Sequence, residues 1–342
     1  MQASRDGAIG ASERDGESRS RATRGTHRMT RAALALSTVL ALATAGCFGP
    51  PPSSAAHRAA GTPPAVGAET TATGARRLAL VRRGDFLVAP VTIAGRSAGE
   101  FLFDTGAGAT FVDRGLADAL GLPRLVDTQV QGALFAAPAE IRELHGLAAS
   151  GIDLVAAPTV AIDLAEVSAS IGSAITGVIG FPTLGAAPVT IDFAEATLVV
   201  HDARRFTAPV GAPAEILRVN QVPYVEARLE DALDVWLQLD TGSLFAVTLW
   251  RDFVQAHADV LAAPRKRWVA TSGVGGGTQL VESEIGVLLV LGRDAAHVPV
   301  IIQDAPPQPW RHPRIAGRVG LGLLKDRRIT LHQRMRRIWI ER

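Results

Sequence analysis

The sequence of 342 residues predicts a mainly β protein of two similar lobes, preceded by a leader and a tether. Three observations lead there. From about Arg77 onward, short runs rich in Val, Ile, Leu and Phe alternate with Gly, Pro and Asp turns, which is the pattern of many strands and little helix. Two segments repeat: "DFLVAPVTIAGRSAGEFLFDTG" and "VPYVEARLEDALDVWLQLDTG" each read as strand, turn, strand, then Asp-Thr-Gly, with Asp104 and Asp240 136 residues apart. The copies also end alike, in "GVIGFPTLGAAPVTIDFAEATLVV" and "VGLGLLKDRRITLHQRMRRIWI", where Gly180 and Gly322 align at a similar offset. A repeat this long is a domain-scale duplication; solenoid units recur every roughly 20–50 residues.

Residues 1–47 read as an amino-terminal extension with a signal peptide. Met29 is the expected true start: it opens "MTRAALALSTVLALATAGC", in which Arg31 gives a positive beginning and Ala32 to Ala45 a short apolar stretch. That stretch is too short to span a bilayer as a mature helix and suits an export signal. Its end, "TAGC", resembles a bacterial lipobox, which implies cleavage before Cys47 and acylation of its thiol. The expected location is the bacterial cell envelope, on the periplasmic or surface face, held to the membrane through the lipid; plain secretion is the alternative. Cys47 is the only cysteine, so the exported chain has no internal disulfide. Residues 48–76 are rich in Pro, Ala, Gly, Thr and Ser, and too poor in large apolar side chains to fold, so they form a flexible tether.

Charge excludes one class of partner. The first 47 residues carry 7 Arg against 4 acidic residues, which leaves 28 basic and 29 acidic residues in the rest. A near-neutral body does not bind nucleic acid electrostatically. The basic run at 311–342 reads as a solvated face.

Lobe 1 is expected over 77–201, an inter-lobe link over 202–215, and lobe 2 over 216–342. Two helices fit: "VDRGLADALGLP", with Asp113 as N-cap and a stop before Pro123, and "LWRDFVQAHADVLAAP", with Phe253, His257 and Leu261 at helical spacing.

A single Asp-Thr-Gly is a common turn after a strand. Two, at matching places in a duplicated unit, point to chemistry. Phe101 and Phe103, and Leu237 and Leu239, fall on one face of their strands, so the aspartate that follows is poorly solvated. A buried carboxylate is costly alone. Two that meet across a pseudo-twofold axis can share one proton and so hold an acid and a base together. Such a pair can activate a water for attack on an amide carbonyl, with no metal, cofactor or covalent intermediate. Gly106 and Gly242 permit close backbone approach, and the Thr105 and Thr241 hydroxyls are placed to bond across to the opposite loop.

These residues, with "VIG" (Val178–Gly180) and "LGL" (Leu321–Leu323), resemble the aspartic peptidases of the pepsin/retropepsin type, in a bilobal bacterial form. The resemblance spans about residues 78–342. It implies two pseudo-symmetric six-stranded-type β lobes with a few short helices, a cleft between them, Asp104 and Asp240 as the catalytic pair, and β-hairpin flaps. The expected activity is aspartic endopeptidase cleavage of an extended polypeptide, by a monomer that the in-chain duplication makes self-sufficient. The pepsin-type flap tyrosine has no counterpart, since the only Tyr is Tyr224. A Gly-rich flap is expected instead at "SGVGGGTQ", including Gly275 and Gly276, with its first-lobe partner near Gly132. Ser243 is expected to donate to the Asp240 carboxylate, whereas Ala107 offers no hydroxyl at the matching place. Activity is therefore expected to extend toward neutral pH.

Rival chemistries fit less well. "GRSAG" (Gly95 to Gly99) matches a serine-hydrolase elbow, but a strand follows where a helix is needed. The histidines lack zinc-site spacing, and His145, His201 and His297 read as surface or satisfied hydrogen-bonding groups. A catalytically silent envelope protein that binds peptide or glycan on the same fold is the alternative from another class. A peptidase formed only by homodimerisation is a third.

Overall fold

The computed structural model describes residues 68–132, 134–154, 159–184, 187–261, 267–274, 276–305 and 312–341. The leader, Cys47 and most of the expected tether lie outside them. The described chain is mainly β with five short α-helices, and its strands form two lobes around a shared sheet.

Each lobe repeats one pattern of pairing. In lobe 1, Phe86–Ile93 and Arg96–Asp104 form a hairpin, and the second strand runs parallel to Ile175–Gly180. Ile175–Gly180 is antiparallel to Thr110–Asp113, which is parallel to Thr159–Ile162. In lobe 2, Val222–Leu229 and Leu233–Leu239 make the hairpin, and Leu233–Leu239 runs parallel to Ile315–Val319. That strand is antiparallel to Val247–Trp250, itself parallel to the end of Arg293–Gln303. Each sheet ends in a hairpin: Arg124–Gln131 with Ala136–Arg142, and Arg267–Gly273 with Gly276–Val290.

Both copies give strands to the sheet between the lobes. Arg76–Ala79, Thr197–Val200 and Val189–Asp192 come from the first copy, and Arg328–His332, Arg337–Glu341 and Ala214–Val219 from the second. The copies join where Val189–Asp192 pairs with Arg328–His332, and the Thr190 and Thr330 hydroxyls meet there at 2.8 Å. One apolar cluster runs through both lobes, from Phe101, Phe111 and Phe181 to Leu237, Val247 and Leu321.

The structure corrects the alignment of the repeat's end. Gly180 lies opposite Asp104, and Val319 lies opposite Leu239, so Gly320 rather than Gly322 is the counterpart of Gly180. The reason is steric. A Cβ at Gly180 would lie 2.7 Å from the Ala107 carbonyl oxygen, and one at Gly320 2.6 Å from that of Ser243. Ala107 and Ser243 each stand three residues after their aspartate. The next amides, of Phe181 and Leu321, donate to those same two carbonyls.

Local signals decided the helices unevenly. Arg114–Leu120 forms as expected: the Asp113 carboxylate accepts from the Leu116 amide at 3.2 Å, and Gly121 closes the helix at φ +69°. The second expected helix is only Arg251–Ala256. It ends where the His257 ring donates from Nδ1 to the Phe253 carbonyl, short of Leu261. Ala165–Ile171, capped by Gly172 at φ +70°, was not expected. The strand Ala214–Val219 begins inside the expected link. "GRSAG" turns a hairpin: Ala94 and Gly95 have positive φ, and Arg96 begins the strand.

Candidate active site

Asp104 ends its strand, and Asp240 follows Leu233–Leu239; both are fully buried. Phe101, Phe103, Leu237 and Leu239 are buried, and so are Leu102 and Gln238 between them, so both strand ends are closed on both faces and the two turns meet across the pseudo-twofold axis.

The threonines tie the turns together. The Thr105 hydroxyl donates to the Leu239 carbonyl (2.7 Å) and accepts from the Thr241 amide (3.2 Å). The Thr241 hydroxyl donates to the Phe103 carbonyl (3.1 Å) and accepts from the Thr105 amide (3.0 Å). These four reciprocal bonds use both lone pairs and protons of buried hydroxyls, so the spacing of the two loops is set from both sides.

The carboxyl groups touch. The Gly242 amide is shared between Asp104 Oδ1 and Asp240 Oδ1, 3.0 Å from each. The Gly106 amide donates to Asp104 Oδ1 at 2.7 Å. Glycine is required at 106, where a Cβ would stand 2.5 Å from Asp240 Oδ1. Burial pushes the Asp104 carboxyl well above the usual range, and the neighbouring Asp240 charge pushes it further, against the Gly106 amide. Burial also raises Asp240, to about 6, but the Arg318 charge and the Gly242 amide hold it down. The pair therefore retains a proton under conditions where exposed carboxylates have lost theirs.

Arg318 is the residue that sequence reasoning missed. It is 3% exposed, its Nη1 lies 3.4 Å from Asp240 Oδ2, and its guanidinium carbon sits 4.8 Å from the centre of the buried Trp250 ring. Gln238, also buried, donates from Nε2 to the Gly106 carbonyl at 3.0 Å, linking lobe 2 to the lobe 1 turn. One signal was legible: copy two reads "AGRVG" where copy one reads "TGVIG", a charge within an apolar strand.

Ser243 is 1% exposed, but the hydrogen bonds to the Asp240 carboxyl come from the Gly242 amide and Arg318, not from its hydroxyl. Its side chain packs against the position of Gly320 instead. The expected donor is thus replaced by a cation from another strand. Ala107 is fully buried.

Gly132 and Gly276 lie at the tips of the two terminal hairpins; Gly275 is outside the described residues. The tips meet: a Cβ at Gly132 would be 2.5 Å from the Val274 carbonyl oxygen. Leu134, at the lobe 1 tip, packs on a small apolar cluster of Phe245, Leu280 and Ile301 in lobe 2. Phe245 follows Asp240 by five residues, so the lobe 1 hairpin reaches the neighbourhood of the carboxyl pair.

The single histidines have partners. His145 bonds Glu143, His201 bonds Thr190, and His297 bonds Glu284. Among the described residues, no group of three or more His, Cys, Asp or Glu side chains is placed to hold a metal ion.

Residues 89–183 match a family model described as aspartyl protease. The match begins in the first hairpin and ends in the short helix Phe181–Leu184. It therefore contains Asp104, Thr105 and Gly106 and stops short of lobe 2. No curated protein matches the chain.

Proposed function

We propose that the protein is an aspartic endopeptidase of the bilobal, pepsin/retropepsin-like kind, with Asp104 and Asp240 as its catalytic pair. The single observation that carries the reading is the contact of these carboxyls beneath one shared amide, that of Gly242. The lobe 1 family match supports it.

The chemistry follows from one proton on two carboxyl groups. The ionised aspartate takes a proton from a water lying between the pair, and that water's oxygen attacks the amide carbon. The protonated aspartate gives its proton to the carbonyl oxygen, which yields a neutral tetrahedral diol. As the C–N bond breaks, the carboxyl that took the water's proton passes it to the leaving nitrogen, and the other recovers its own from the diol hydroxyl. Thr105 and Thr241 hold the spacing throughout. The hairpins carrying Gly132 and Gly276 cover an extended polypeptide by strand-like pairing and exclude water. One chain supplies both halves, so a monomer suffices. The apolar stretch and "TAGC" of the leader support a location at the bacterial envelope with acylated Cys47 as the anchor. Among the described residues, no helix is long and apolar enough to cross a membrane.

Digestion of a peptide library tests the reading. The wild-type protein is expected to cut, and Asp104→Asn or Asp240→Asn to lower kcat by about a thousandfold, in the range of a lost general acid or base. Undiminished cleavage by either variant refutes the assignment. If the wild type binds library peptides and never cuts them, the same fold is serving as a binding protein.

A further inference from the structure

The two halves of the site differ beneath the aspartates. In lobe 1, Leu102 pairs with Val178, and Val178 with Phe111, all fully buried and apolar. In lobe 2 the same positions hold Gln238, Arg318 and Thr248, all buried and polar. A guanidinium in a closed β core costs several kcal/mol unless an anion compensates it. The anion here is Asp240; no cation stands in the matching position under Asp104.

The hydrogen-bond donors are equally one-sided. Both oxygens of Asp240 face a donor: Oδ1 the Gly242 amide and Oδ2 the Arg318 guanidinium. Each of these oxygens accepts from an N–H, which favours the ionised form of this carboxyl. Asp104 Oδ1 accepts from two amides, but its Oδ2 is buried and meets no donor among the described residues. A proton on that oxygen would compete with no N–H donor.

We propose that Arg318 is a positioning residue that keeps the negative charge of the pair on Asp240 and the proton on Asp104 Oδ2, so that lobe 2 supplies the base and lobe 1 the acid. This rests on the aspartic-peptidase reading for its catalytic meaning, but not for the charge distribution itself. At 3.4 Å the contact is long for a charge-assisted bond, so Arg318 acts chiefly as a fixed charge. Trp250 holds the guanidinium in place across its ring face. The charged groups facing Asp240 are Arg318 and Asp104; burial raises its titration most, Arg318 and the Gly242 amide lower it, and Asp104 has the smallest effect.

The test follows the carboxyl carbons of Asp104 and Asp240 by NMR in 13C-aspartate-labelled full-length protein. The Asn variants assign the two signals, and the pH dependence of kcat/KM is measured alongside. In the wild type, Asp240 is expected to ionise first. Arg318→Met, which keeps most of the volume and removes the charge, is expected to raise the ionisation of Asp240 by about one pH unit or more. It should move the acid limb of the rate profile by the same amount, with KM unchanged. On that limb, one unit is about a tenfold loss of kcat/KM. Arg318→Lys should restore most of the order.

The proposal is overturned if Asp104 ionises first in the wild type. It is also overturned if Arg318→Met leaves the order and both midpoints unchanged, or if Arg318→Lys loses the order as fully as Met does, which marks a packing role. Should the Met variant fail to fold, the wild-type order and the Lys variant decide alone. If no peptide is ever cut, the peptidase reading fails, while the NMR titration still tests the charge assignment.

Discussion

Asp104 and Asp240 hold two ionisable groups side by side away from water. Each carboxyl is fully buried, and each is raised by desolvation. The sign of the linkage is definite. Below about pH 3.9, the ordinary aspartate value, both folded and unfolded states are protonated and nothing is lost. As pH rises toward the folded values, the unfolded chain releases protons that the fold retains, and stability falls. Neutral asparagine removes this penalty. Asp240→Asn gains less from this at pH 7, because it also strips the buried Arg318 of its counter-charge. Asp104→Asn should gain more, since no cation offsets its burial. Thermal melting at pH 4 and pH 7 checks both the order and the convergence of the three proteins at the lower pH. Destabilisation of the Asp104 variant at pH 7 would contradict the raised titration. Inactive but more stable variants are the expected trade between stability and function.

At the scale of elements, the terminal hairpins are of most functional interest. The lobe 1 hairpin Arg124–Gln131 with Ala136–Arg142 exposes Leu125, Val126 and Phe135, while Leu134 packs on Phe245, Leu280 and Ile301. Few apolar contacts secure its tip, and segments of that kind open locally at low cost. Leu134→Ser removes part of an apolar docking contact, worth on the order of 1 kcal/mol. Amide exchange across residues 124–142 is then expected to quicken by roughly five- to tenfold, with Phe86–Ile93 and Arg96–Asp104 unaffected. Unchanged exchange in the hairpin would show that Leu134 does not secure it. Elements with local signals were legible in sequence: Asp113 and Gly121 bracket Arg114–Leu120 with a cap at each end. Arg251–Ala256 stops early, although the apolar spacing continues to Leu261, because backbone turns at His257 close it. Ala165–Ile171 has an apolar residue, Leu164, at its N-cap; the Asp163 carboxylate accepts from the Ala165 amide at 2.8 Å instead, and the small, weakly patterned sequence carried little other signal.

The whole molecule is a duplication whose halves are fused through one continuous sheet. First-copy strands fill one side of the shared sheet and second-copy strands the other, and they pair edge to edge at Thr190 and Thr330. The Thr105 and Thr241 network and the Gln238 bond to Gly106 cross between lobes at the site itself. Neither lobe can lose its structure without stripping partners from the other. We therefore expect a single calorimetric transition in which both lobes melt together, with calorimetric and van't Hoff enthalpies in agreement. Two resolved transitions would mean that the shared sheet does not couple them.

What the sequence determined by itself was whatever is written locally or twice: strand alternation ending at Asp104 and Asp240, the glycines that let the turns approach, the threonines able to bridge them, and the helix capped by Asp113. Those depend on neighbours within a few residues, or on a repeat that can be laid against itself. What only the tertiary structure decided was which distant groups meet. Gly320 replaced Gly322 because β pairing, not spacing along the chain, brings it against the Ser243 carbonyl. Arg318 reached Asp240 from 78 residues away, and Ser243 turned elsewhere. A buried charge takes its meaning from what lies across a strand pair, and that neighbour is settled by folding rather than by order in the chain.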